Sequence, residues 1–247
     1  MGNNNNSNLE TAKSDLPRET DPQLETGELR ELVKGNTQFA CDFYRQVRGG
    51  GDNIFISPHS ISTALAMTYA GARGNTAKQM EEALHFTLSQ ARLHNAFNAL
   101  DLELAKRPDA VEKDGFKLHI CNAAWGQKGY SFLESYLDVL ALNYGSGFNL
   151  LDFIANPANC RLTINDWVSL QTEDRIKDLL PDGSLTIDTR LVLTNAIYFK
   201  AGWLHLFDET KTAYGPFFLL DGTEISAQVM KRSESFNYTE VQDYYQA

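Results

Sequence analysis

A chain of 247 residues with 32 acidic and 22 basic side chains carries a formal net charge of −10, which argues against the basic surface that nucleic acids require and against anionic membranes. With 43% hydrophobic and 11% aromatic residues it has ample material for a core, yet no segment approaches the roughly 20 consecutive apolar residues of a membrane span. The cysteines, Cys41, Cys121 and Cys160, are far apart and odd in number, lack metal-ligand spacing, and read as buried free thiols.

Residues 1–27 are rich in Asn, Ser, Thr and Glu and read as a disordered polar tether, with no charged leader followed by an apolar run. Asn5 and Asn237 begin glycosylation sequons, which are too common by chance to fix a compartment. Leu29, Leu32, Val33, Asn36, Phe39, Ala40, Phe43, Tyr44 and Val47 recur at three- and four-residue spacing, which predicts an amphipathic helix ended by Gly49-Gly-Gly51. Asn53–Ile56 reads as a short strand. Ser57-Pro58 then opens a second helix, with Ile61, Ala64, Leu65 and Thr68 on its inner face. Thr76 with Gln79, and Ser131 with Glu134, fit capping boxes for helices running to Leu84 and Leu142. Between these two, Ser89–Leu104 reads as a helix stopped by Pro108, and Phe116–Trp125 as a strand. Asn156-Pro157 caps a helix carrying Ile164, Trp167, Val168 and Leu170.

The run from Arg190 to Lys200 is the strongest strand signal. Leu191, Val192, Leu193, Ile197, Tyr198 and Phe199 leave neither face polar, so the strand belongs in the middle of a sheet covered on both sides. Asn195 lies inside it, and a buried amide without partners would cost roughly 1–3 kcal/mol. A strand at Phe217–Leu220, an Asp221-Gly222 hairpin turn and a strand through Thr223–Met230 follow. Helices dominate the first half and strands the second, an α+β arrangement. The last residues, Val241 to Ala247, contain no turn or cap to close a fold, from which the front portion of a longer protein is expected.

These motifs, in this order, resemble the serpin family over about Leu29 to the last residue. Asn53-Ile-Phe-Ile-Ser-Pro-His-Ser60 through Met67 is similar to the strand leading into helix B. Gly71-Ala-Arg-Gly-Asn-Thr76 with Gln79-Met80 is similar to the turn into helix C. Leu118–Trp125 resembles the second strand of the large sheet A, Ile164–Val168 with Thr172 and Ile176 resembles helix F and its exit, and Thr189–Trp203 with Phe207, Thr212 and Phe217 resembles strand 3 of sheet A and the turn beyond. Glu173-Asp174-Arg175 departs from a Gly-Lys pair common at that place, and no function is expected to depend on it.

The resemblance implies serpin-like helices packed on a large central sheet A with smaller sheets, here a partial domain over residues 28–247 without the reactive-centre loop and C-terminal strands. It also implies a mechanism: a serine or cysteine protease cuts the exposed loop, which then inserts into sheet A. On that reading Ser57, Ser60 and Asn195 match the shutter beneath the sheet, and Trp203 matches the breach. Thr189, Leu191, Leu193, Ile197, Phe199 and Lys200 mark the edge that receives the loop. Ser57 and Ser60 read equally well as helix caps. The partner implied is the target protease, with the whole protein a monomer, extracellular or at the cell surface; a cytoplasmic location is the alternative. The same residues also fit a non-inhibitory serpin, a storage, carrier or chaperone protein, or an inactive fragment.

An enzyme is not expected. No Gly-x-Ser-x-Gly elbow surrounds Ser57, and His59, two residues on, sits at a helix start. The histidines, His59, His85, His94, His119 and His205, show no metal-binding pair, and no cofactor motif occurs. Lys106 and Arg107 beside acidic neighbours read as a solvated face, so no glycosaminoglycan partner is expected.

Overall fold

Residues 9–50, 53–106, 116–203, 205–233, 239–241 and 244–246 are described by the computed structural model. The chain divides into two units, residues 1–200 and 201–247. In chain order the first contains β1 (Thr11–Ala12), α1 (Glu28–Val47), α2 (Pro58–Tyr69), α3 (Gly74–Leu84), α4 (Gln90–Ala105), β2 (Lys117–Gln127), α5 (Glu134–Tyr144), β3 (Phe148–Leu151), α6 (Pro157–Gln171) and β4 (Leu191–Lys200).

The sheet is built on β2. Ala123, Ala124 and Trp125 are consecutive and all buried, so β2 is covered on both faces. On one face Ala123, Trp125 and Ala196 pack with Cys160, Ile164 and Val168 of α6. On the other, Ala124 and Leu193 meet Met67 of α2, Leu140 of α5 and Phe148 of β3. A third cluster joins α1, α2, α3 and α4 through Leu32, Phe39, Tyr69, Leu84 and Phe97. The strand order is β1-β3-β2-β4. β4 runs antiparallel to β2 and β3 parallel to it. A parallel neighbour needs a crossover, and α5 is that crossover. β3 carries no sequence signal of its own, being only four residues with no alternation.

Local signals succeed where one residue type solves one backbone problem. Ser57 caps α2 by accepting from the Ser60 N–H, with Pro58 in the first turn, and Asn156 accepts from the Asn159 N–H ahead of Pro157. The two proposed capping boxes are corrected. The cap positions are Arg73 and Leu133, neither with a side-chain bond, so the helices begin at Gly74 and Glu134. The strand expected at Asn53–Ile56 is not formed: these residues join no ladder among the described residues, and Phe55 is almost wholly exposed. The face expected for α1 is also narrower: Leu32 and Phe39 are buried, whereas Val33, Tyr44 and Val47 are exposed. The inner face given to α2 is too small, since Ser60, Ser62, Thr63, Ala66, Met67 and Tyr69 are buried as well. Only Cys160 is a buried thiol; Cys121 is half-buried and Cys41 exposed.

The disordered-tether expectation for residues 1–27 is corrected for residues 9–27. Thr11–Ala12 pairs with Asn149 and Phe148, Leu9 and Leu24 pack on core clusters, and Arg18 bonds to α4. A polar composition conceals such a segment because its anchors are hydrogen bonds spread over three distant elements. Residues 1–8, with the sequon at Asn5, lie outside the described residues, as do Arg107, Pro108 and the sequon at Asn237.

In the second unit β5 (Ala213–Phe218) and β6 (Glu224–Val229) form an antiparallel hairpin. Its turn uses Gly222 at φ 82°, a left-handed value that favours glycine, with the Asp221 carboxylate accepting from the Thr223 N–H. β7 (Thr239–Val241) and β8 (Tyr244–Gln246) pair antiparallel.

Candidate functional site

The register of β2 and β4 sets Asn122 directly opposite Asn195. Asn195 shares its strand face with Leu193, which packs on the α2 side of the sheet. The Asn195 amide donates to Asn122 Oδ1 at 2.7 Å, so each half-buried amide has a partner from the other strand. Asn122 is the residue that sequence reasoning missed. Its place in the β2 pattern was visible, but not its register against β4.

Beneath the sheet, α2 packs against both β2 and β4. At its start Ser57 Oγ donates to Ser60 Oγ at 3.0 Å, and Ser60 is fully buried. Ser57 is therefore a helix cap engaged with another hydroxyl rather than with an imidazole. Burial pushes the His59 imidazole below its ordinary range, against the opposing pull of the Asp101 carboxylate. The structure brings Ser57 and Ser60 together, and it brings Asn195 to Asn122; among the described residues the serines are not hydrogen-bonded to Asn195.

On the opposite face Trp125 Nε1 donates to Thr194 Oγ1 at 2.9 Å, a fully buried bond between the same two strands. Trp167 of α6 meets Trp125 edge-on at 5.6 Å. At the exit of α6, Glu173 and Asp174 adopt left-handed φ values of 49° and 60°, a conformation that favours glycine. Glu173 is held by Lys117 of β2 and by the Tyr198 hydroxyl of β4, and the Asp174 N–H bonds to Ser169 O at 2.8 Å. The departure noted at this place thus ties the helix exit to both strands.

The residues assigned to the receiving edge divide. Leu191, Leu193, Ile197, Phe199 and Lys200 lie in β4, while Thr189 lies in the preceding turn with its Oγ1 accepting from the Thr186 N–H. β4 is not flanked on both sides as its apolar sequence implied: it pairs with β2, and among the described residues no strand pairs with its other edge. Leu191 and Phe199 are accordingly exposed. Trp203, in the second unit, is 61% exposed and meets Phe207 edge-on at 5.4 Å.

A family model described as "Serpin (serine protease inhibitor)" matches residues 34–246. The chain belongs to the serpin family. Antithrombin-III of Mus musculus is 38% identical over 227 residues, spanning 89% of this chain and 48% of that protein. Serpin B4 of Homo sapiens is 38% identical over 231 residues, spanning 87% and 58%. A serpin-like protein of Thermococcus kodakarensis is 39% identical over 230 residues, spanning 93% and 52%. Among solved structures, emu ovalbumin superposes with a TM-score of 0.78 at 28% identity, covering 86% of this chain and 57% of that one. Arabidopsis AtSerpin1 in its native stressed conformation gives 0.77 at 29% identity, covering 88% and 55%. The serpin thus spans about half the length of the relatives it matches. Its four-stranded sheet is the serpin sheet A, and the family is one of inhibitors, not enzymes. Among the described residues no helix is long and apolar enough to cross a membrane.

The asparagine pair makes a direct prediction. Asn195→Ala and Asn122→Ala are each expected to lower stability by about 1 kcal/mol, and the double variant by little more than either alone. Urea titrations of the four proteins check this; strictly additive losses would show that the two amides act independently.

Proposed function

We propose that this serpin supplies the N-terminal scaffold of an inhibitor of serine or cysteine endopeptidases, with β4 as the strand beside which a cleaved loop inserts. The observation that carries the reading is the outer edge of β4, with which no strand pairs among the described residues, in a sheet whose other edge is occupied by β1. A row of free N–H and C=O groups is a template for an added strand. In the proposed reaction the protease nucleophile attacks the carbonyl of the cut bond and releases the amine of the following residue. The acyl-enzyme is then carried along as the loop adds to β4.

The asparagine pair suits a shutter role because two amides can exchange partners as strands separate, whereas an apolar contact has only one arrangement. Ser57 and Ser60 belong to the same proposal, and so do Trp203 as the breach and Thr189, Leu191, Leu193, Ile197, Phe199 and Lys200 as the receiving edge, Thr189 from the turn that leads into it. The target protease as partner, a monomeric whole protein and an extracellular or cell-surface location are parts of it as well. Fractionation of the producing cells checks the location.

Two measurements test the reading. An extended peptide of alternating Ala and Thr, added to the chain, should slow amide exchange over residues 191–200; unchanged exchange there would remove the insertion edge. The longest product of the source gene, mixed with serine and cysteine proteases, should form complexes that survive boiling in detergent. Cleavage without such complexes would leave a non-inhibitory serpin.

A further inference from the structure

The sheet is closed on one side by the chain's own N-terminal segment, and that closure is largely polar, thin and set closely against Gly147. Only Thr11 and Ala12 form a ladder, with the Leu150 N–H donating to Glu10 O at 2.8 Å. Beyond them the segment crosses to the helices. Ser14 Oγ donates to Asp138 Oδ1 of α5 at 2.5 Å, and the Glu19 N–H donates to Leu142 O at 2.9 Å. Arg18 forks onto α4, with Nε on Asn98 Oδ1 at 2.9 Å and a terminal nitrogen on Asp101 Oδ2 at 2.6 Å. Asn98 returns a bond to Glu19 O at 2.8 Å, and Asn95 donates to Gln23 O at 2.7 Å. One segment therefore ties the α5–β3 corner to α4.

Two features make this a device rather than packing. First, Arg18 and Asp101 line a cavity of about 140 Å³ whose walls also include Asn122 and Tyr144. The segment thus backs the same asparagine that holds Asn195. Second, Gly147 has an ordinary φ, and a Cβ built there would meet Lys13 Cβ at 2.6 Å and Ala12 O at 2.7 Å. The three nearest atoms all belong to the N-terminal segment, so a side chain added here would press on that segment first.

We propose that residues 9–24 form a releasable latch. When docked it seals the β3 edge and stiffens the wall behind the Asn122–Asn195 pair; when released it frees both. Its low apolar content places it among the segments that open first, before the core. Control of sheet opening by the latch rests on the inhibitory reading, whereas the latch itself can be tested without a protease.

The test is amide exchange in the full chain carrying Gly147→Ala, with Gly49→Ala as control because nothing lies within 4 Å of that position. Exchange at Leu150 and across residues 11–14 should rise at least about tenfold in Gly147→Ala. A smaller rise is expected at 121–123 and 194–196, with none in α6. Ser14→Ala combined with Arg18→Ala should reproduce the pattern from the segment's side, and is read alone if Gly147→Ala does not fold. Wild-type exchange at Leu150, or an equal rise throughout α3 and α6, would overturn the latch. A latch that releases as expected in a protein that forms no protease complex would sink only the inhibitory reading.

Discussion

Trp125→Ala is expected to lower the unfolding free energy by about 3–5 kcal/mol, a large share of the roughly 5–15 kcal/mol typical of a folded domain. The indole is fully buried between β4 and α6, packed with Ile164 and Val168 and met edge-on by Trp167. Its removal leaves a cavity between β4 and α6, and it strands the Thr194 hydroxyl, whose remaining partner is Ala123 O at 3.4 Å. Trp125→Phe separates the two contributions: it keeps most of the volume and loses the N–H bond, worth about 1 kcal/mol. Denaturant midpoints for the three proteins check the ranking. A loss for Phe as large as for Ala would mean that the bond joining β2 to β4, not the packing against α6, carries the stabilisation.

Acid should weaken the protein through His94. The imidazole is 2% exposed, and burial pushes it down to about 4 from its ordinary 6.5. Its Nδ1 lies 2.7 Å from the Tyr144 hydroxyl, while Nε2 has no hydrogen-bond partner among the described residues, so nothing stabilises an added charge. Between pH 6.5 and 4 the unfolded chain binds a proton that the folded chain refuses. Stability from this residue is therefore complete above about pH 6.5 and is lost as pH falls toward 4. At about 1.4 kcal/mol per pH unit the loss reaches roughly 3 kcal/mol. His94→Gln cannot take up that proton, so its urea midpoint should fall less over the same range than that of the unaltered protein. Parallel curves would assign the acid sensitivity elsewhere.

Both predictions concern residues whose sequence context said only that they were apolar or helical. Trp125 was legible as core because β2 reads as a strand from its own residues, but its bond to Thr194 depended on a register that no local pattern encodes. His94 stands at an inner position of a helix whose limits could be read, yet its partner Tyr144 is 50 residues away. Among the described residues β4 stands at the edge of the sheet, which its sequence did not reveal. An apolar run signals burial on both faces, but it cannot say whether each edge of the strand has a neighbour.

Sequence alone determined the parts that depend on neighbours along the chain. The caps at Ser57 and Asn156, the turn at Asp221-Gly222, the long apolar strand with its asparagine, and the ordered motifs of the family were all readable there. The tertiary structure alone decided that Asn195 faces Asn122, that a run of four residues after α5 becomes β3, and that a largely polar N-terminal segment lies down as β1 against it. The physical reason is the range of the interactions. Caps and periodicity act within a few residues, where side-chain chemistry is nearly sufficient. Register and edge pairing join residues tens to more than a hundred positions apart, and their partners are selected only when the whole sheet assembles.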